Sequence, residues 1–227
     1  MGKLLLLVLL GCAWLSGGVN GVLQGKSLVF PSATEDSYVT LQPVAFDHLS
    51  AFTLCLRAAS EQRRSYSLFS YATSGSDNEV LLWRNEDATL SVYLSGKIFR
   101  FVLPDITALM RHLCVSWEST SGRIAVWLDG VRSLRHVGHQ GGQLRGGGTM
   151  ILGQEQDRVG GKFDVKQCFV GEVTDLNLWD RVLTPTEIRA ISQGGCHKAG
   201  GNIINWATVG HESSGTVSLR DNEDCTI

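Results

Sequence analysis

Between residues 153 and 167 the chain reads GQEQDRVGGKFDVKQ, with Glu155, Asp157 and Asp164 interleaved with the amides Gln154, Gln156 and Gln167. Every one of these side chains offers oxygen. Carboxylates this close repel one another unless water, a basic neighbour or a cation compensates for them. Basic neighbours are present as Arg158, Lys162 and Lys166. The Gly160-Gly161 pair can turn the chain back, so that Asp164 and Gln167 approach Glu155 and Asp157. Taken alone, the segment fits either a solvated surface loop or a site for a hard cation, which takes six to eight oxygen ligands. Two other constellations invite a chemical reading. His136 and His139 have a His-x-x-His spacing that suits zinc, but no third and fourth ligand lie nearby, so a solvated turn is the expectation. Ser, His and Asp are all present without a Gly-x-Ser-x-Gly elbow, and the chain is expected not to be an enzyme.

The elements that must position these residues are short and β-rich. SYVTL, FTLCLRA, SYSLFSYA, EVLLW, TLSVYL, KIFRFVL, HLCVSW, RIAVWLDG, TMILG and GEVTDLNLW alternate with polar or glycine-rich turns between residue 27 and about residue 180. In RIAVWL, Ile124, Val126 and Leu128 point to one face and Ala125 and Trp127 to the other, the period of a strand. Asp129-Gly130 suits a hairpin turn, and HQGGQLRGGG reads as a longer connection. Regular strand spacing without interleaved helices predicts an all-β fold, a two-sheet antiparallel jelly-roll sandwich. One short helix is expected at LTPTEIRAISQGG: Thr184 caps it, Pro185 suits its first position, Glu187 completes a capping box, Ile188 and Ile191 share a face, and Gly194 ends it.

The N-terminus, MGKLLLLVLLGCAWLSGG, has one Lys before an apolar block that ends in small residues, the pattern of a secretory signal peptide. Residues 1–18 are read as that signal and 19–227 as a single secreted, extracellular domain. No later stretch approaches the ~20 apolar residues of a membrane-spanning helix. A formal net charge of −2 with no basic patch gives no reason to expect nucleic acid. With Cys12 removed, Cys55, Cys114, Cys168, Cys196 and Cys225 remain, an odd number that leaves one thiol free or paired between chains. No N-glycosylation sequon occurs.

The segment HLCVSWES, from His112 to Ser119, fits a His-x-Cys-x-Ser/Thr-Trp-x-Ser signature, and FSYATSGSDNEVLLW, ILGQEQD, VGEVTDLNLWD and NIINW fit around it. The chain thereby resembles the pentraxins from about residue 27 to residue 206. The resemblance implies a laminin-G/concanavalin-like sandwich and two calcium ions side by side on one face of each subunit. Their ligands are carried over to Asp77, Asn78, Glu155, Gln156 through its main-chain carbonyl, Asp157, Asp164 and Gln167. Asp77, Glu155, Asp157 and Asp164 supply roughly four negative charges against the four positive charges of two calcium ions, so the crowding becomes affinity for metal. Family members carry Glu or Asp at the position of Asp164.

The resemblance places the ligand pocket at Trp83 and Tyr93. Choline-binding pentraxins have a small residue at the position of Tyr93 and a Glu facing the ammonium at the position of Ile98. This chain is therefore expected to favour phosphate- or carboxylate-bearing head groups and acidic sugars over phosphocholine. Cys55 and Cys114 match the family disulfide; Cys196 with Cys225, leaving Cys168 free, is one pairing of the rest. The implied protein is a homopentameric, calcium-dependent lectin of innate immunity and the acute phase. Complement engagement stays open, since Asp129 sits at a family contact position but is also the Asp of an Asp-Gly turn, and Ser192 replaces a Tyr used on that face. The rivals are a structural or adhesive laminin-G-like module with a weakened metal site, and a jelly-roll glycoside hydrolase. The hydrolase needs a dedicated carboxylate pair that the calcium set leaves unavailable.

Overall fold

The computed structural model describes residues 22–104, 108–194 and 200–223. The expected signal peptide, Cys12, Cys196 and Cys225 lie outside the described residues. The strands are β1 (Lys26–Phe30), β2 (Tyr38–Gln42), β3 (His48–Leu49), β4 (Ala51–Ala59), β5 (Tyr66–Thr73), β6 (Ser76–Arg84), β7 (Leu90–Leu94), β8 (Lys97–Phe101) and β9 (Arg111–Glu118). They continue with β10 (Arg123–Leu128), β11 (Val131–Arg132), β12 (His136–Val137), β13 (Leu144–Arg145), β14 (Thr149–Leu152) and β15 (Gly171–Trp179). After helix α1 (Pro185–Gln193) come β16 (Gly210–Ser214) and β17 (Ser218–Asp221).

Two antiparallel sheets form the sandwich. One runs β11-β10-β9-β4-β15-β1-β17, with β12 also paired to β10; the other runs β16-β2-β14-β5-β6-β7-β8, and β13 pairs with β3 apart from both. Alternation along each strand fills the space between the sheets. Leu113, Val115 and Trp117 on β9 and Ile124, Val126 and Leu128 on β10 belong to one continuous core. The opposite face of the same strands is buried too. Trp127 packs with Cys55, Cys114, Trp179, Leu183 and Ile188 in a second cluster beneath α1. β10 therefore loses both faces to apolar neighbours, although its pattern is that of a half-buried strand.

Helix α1 has the expected ends. Thr184 Oγ1 accepts from the Glu187 amide at 3.2 Å, the Glu187 carboxylate accepts from the Thr184 amide at 2.7 Å, and Gly194 is the C-cap. Its C-terminal carbonyls are held from below by Arg57, whose Nη2 donates to Ser192 O at 2.7 Å and whose Nε lies 3.3 Å from Asp175. The Asp129-Gly130 turn has positive φ at both residues, 49° and 78°, as a two-residue hairpin of the sheet's own twist requires. Cys55 and Cys114 are directly paired in register between β4 and β9, and their sulfurs are bonded. A cross-link across 59 residues stabilises the fold by about 4 kcal/mol through the unfolded state. Cys168 is a free, buried thiol.

Candidate metal centre

The loop between β14 and β15 is held by side chains that are not themselves candidate ligands. Gly153 has φ 92°, and a Cβ there would fall 2.2 Å from the Phe30 ring, so only glycine starts the loop this way. Gln154 Nε2 donates to Thr34 O at 2.7 Å. Gln156 Nε2 donates to Ser70 O at 3.1 Å and Thr149 O at 3.0 Å, while its Oε1 accepts from the Gly160 amide at 2.8 Å. Phe163 leans on Tyr38 with centroids 4.7 Å apart, and Phe169 sits between Phe30 and Tyr66. The chain reverses at Gly160, φ 70°, with Gly161 N bonded to Arg158 O at 2.8 Å. The Ser67 amide fastens Gln167 O to β5 at 3.0 Å, and Gln167 N closes a turn onto Asp164 O at 2.8 Å.

A second hairpin supplies Asp77 and Asn78 at the start of β6. Its main chain is tied to the β7–β8 turn, where Gly96 N donates to Asn78 O and Ser95 N to Glu79 O, each at 2.9 Å. Glu79 was read from the sequence only as part of a strand. It is 1% exposed and accepts from Arg145 N at 2.7 Å and Ser95 Oγ at 3.1 Å, which locks the hairpin in place. A Glu directly after an Asp-Asn pair and ahead of an apolar run was the available signal.

Four oxygens from the two segments are buried with no hydrogen-bond partner, Asn78 Oδ1, Gln154 Oε1, Glu155 Oε2 and Gln167 Oε1, and three of them belong to candidate ligands. Glu155 is 3% exposed. Burial first, then the Asp157 and Asp77 carboxylates, push its own carboxyl up to about 7. Glu155, Asp157 and Asp77 therefore share one electrostatic neighbourhood. No three of the candidate carboxylates bring oxygens within 4.8 Å of one another. Among the described residues the one set that does cluster that closely is Cys55, His112 and Cys114, where both sulfurs are spent in the disulfide. Orphaned buried acceptors beside carboxylates fit a hard cation, which takes oxygen ligands, several of them anionic.

Tyr93 and Ile98 are paired in register on β7 and β8, and Trp83 lies on the same outer face of the sheet. Burial raises the Tyr93 hydroxyl, Glu155 raises it further and Arg100 pulls it down, so charges of both signs act on it. Ile98 is 57% exposed. His136 and His139 do not come together as a metal pair: His136 packs on Phe101 at 4.3 Å and His139 on Trp117 at 5.3 Å. Asp129 accepts from the His112 amide at 2.9 Å and pairs with Arg111, so its turn role is fully occupied; Gly130 packs against Ser192 on α1.

A family model described as the Pentaxin family matches residues 26–221. The chain belongs to the pentraxin family. The match extends past Trp206, where the resemblance in the sequence fades, and takes in β16 and β17. The zebrafish (Danio rerio) C-reactive protein is 43% identical over 199 residues, 86% of this chain and 88% of the relative. The Bos taurus mucosal pentraxin is 40% identical over 226 residues, 97% of this chain and 99% of the relative. The native heptameric SAP-like pentraxin of Limulus polyphemus superposes with a TM-score of 0.80 at 24% identity, covering 90% of this chain and 99% of that one, which shows the shared fold. Pentraxins are recognition proteins without catalytic activity, and the family is known to bind calcium. No helix among the described residues is long and apolar enough to cross a membrane.

Proposed function

We propose that this pentraxin is a secreted, calcium-dependent pattern-recognition protein of innate immunity that binds anionic head groups and sugars on microbes or cell debris. The observation that carries the reading is the trio of buried, unpartnered oxygens on Asn78, Glu155 and Gln167 at the meeting of two acidic segments. Two calcium ions would be held by Asp77, Asn78, Glu155, Asp157, Asp164 and Gln167. Gln156 would contribute its main-chain carbonyl, since its side chain is spent on Ser70, Thr149 and Gly160. The metal supplies positive charge for a ligand phosphate or carboxylate. The chain's own residues then set selectivity. Tyr93 fills the room that choline methyl groups need, and Ile98 offers no charge to an ammonium. A structural module with a weakened metal site would have no reason to keep three desolvated acceptors unpaired.

Assembly into a ring, which the resemblance puts at five subunits, would convert weak contacts on one face into avidity for repetitive surfaces. Val131, Leu134 and Val137 are 73%, 79% and 67% exposed along one short edge segment, apolar side chains available to a second copy. Retention on immobilised phosphoethanolamine in calcium, release by chelator, and weaker retention on phosphocholine are the expected outcomes. Retention that persists in chelator contradicts the reading.

A further inference from the structure

On the outer face of the sheet that carries the metal loop, Trp83, Ser91 and Arg100 form one cross-strand row through β6, β7 and β8. The neighbouring row is Leu81, Tyr93 and Ile98. Ser91 points outward by this alternation and is nevertheless only 2% exposed. Asn85 Nδ2 caps it from the β6–β7 turn, donating to Ser91 Oγ at 2.9 Å, and Trp83 and Arg100 flank it in the row. Arg100 stands diagonal to Tyr93, a spacing of roughly 7–8 Å between Cβ atoms. Its guanidinium has one ionic partner among the described residues, Asp87 Oδ2 at 3.6 Å, with the two side chains 59% and 56% exposed. A pair that long and that solvated holds its members weakly. Asp87 is independently anchored through Oδ1 by Thr89 Oγ1 at 2.6 Å, so Arg100 can leave it without disturbing the turn.

The surface then runs from the metal loop, across the half-buried faces of Tyr93 and Trp83, to a cation on the edge strand. Aromatic faces flanked by charge accept the apolar face of a sugar ring and leave its acidic groups to the ends. We infer that Arg100 is a second anion-binding point of the ligand site, so that the site takes an acidic saccharide with two oxyanions, one at the metal loop and one at the guanidinium. This rests on the calcium reading above. The guanidinium also presents its donors in a planar fork suited to a sulfate or carboxylate. Asp87 is the built-in competitor for it.

The test compares phosphoethanolamine, with one phosphate, against a heparin disaccharide with two sulfates, by calorimetry on the assembled protein in calcium and in chelator. Arg100→Gln is expected to weaken the disaccharide about 5- to 10-fold, the effect of one charge-assisted contact, and to change phosphoethanolamine less than about twofold. Asp87→Asn is expected to tighten the disaccharide about two- to fivefold by freeing Arg100. An Arg100→Gln protein that binds the disaccharide as wild type does overturns the inference and leaves the calcium reading standing. If Arg100→Gln loses both ligands, Asp87→Asn decides: unchanged disaccharide affinity overturns the inference. Binding of both ligands by the wild type in chelator removes the calcium reading and the inference together.

Discussion

Glu155 lies buried with Oε2 unbonded, in the field of Asp77 and Asp157, and its replacement by Gln acts in two directions. The neutral amide relieves the repulsion and removes a donor charge from the proposed metal set. Glu155→Gln is expected to raise stability in chelator by about 1–2 kcal/mol and to lower calcium affinity at least about tenfold, read by urea unfolding with and without calcium. Equal stability in chelator would mean the carboxylate is not crowded. The oxygens of Asn78, Glu155 and Gln167 that are buried without a partner belong to residues that the family resemblance singles out in the sequence. Glu79 is not singled out, because an acid inside an apolar strand pattern carries no mark of the Arg145 amide it will meet 66 positions away. His112 gives an independent test on the other sheet. Burial first, then Arg57, lowers its pKa from 6.5 to about 4, with Asp129 opposing. The unfolded chain binds that proton first, so the contribution is complete above about pH 6.5 and is lost as pH falls towards 4. About 3 kcal/mol should disappear over that window in chelator, and His112→Leu should flatten the slope.

At the scale of elements, the capped helix and the latch beneath it were read to different depths. The capping box is local, and the sequence places α1 to within a residue. Thr184→Ala is expected to cost about 1 kcal/mol. The Arg57 latch joins positions 134 and 135 residues apart and has no sequence signature. Arg57→Gln is expected to cost about 2 kcal/mol by leaving helix-end carbonyls without their donor, measured by the same urea curves. Strands with a buried face were legible for the same reason as the helix. The two-residue strands β3, β11, β12 and β13 were not, because they are too short to show a period. The edge strands β16 and β17, GHESS and SLRD, face mostly solvent and carry no apolar alternation. The metal loop is an element too. Its acidic residues should make it protease-sensitive in chelator and protected in calcium, and equal cleavage rates under both conditions would count against metal ordering it.

The whole molecule places its two kinds of surface on opposite sides of the sandwich: the metal loop and aromatic row on the outer face of one sheet, the helix and disulfide on the outer face of the other. The exposed apolar side chains Val131, Leu134 and Val137 lie along the edge of the helix-bearing sheet. Leu134→Glu is expected to shift sedimentation from a multiple of the chain mass towards the single chain while leaving calcium binding intact. A wild-type protein that sediments as one chain at micromolar concentration would remove the avidity argument. The two-sheet architecture was legible because strand spacing and alternation are short-range signals, whereas subunit contacts are set by surface shape that alternation does not encode. The account as a whole depends on metal at the 153–167 loop. The direct measurement is calorimetric titration of the chelator-stripped protein with calcium. Two ions bound per chain, with heat lost or strongly reduced in Asp157→Ala, is the predicted result; no saturable binding, or binding that Asp157→Ala leaves unchanged, would contradict it.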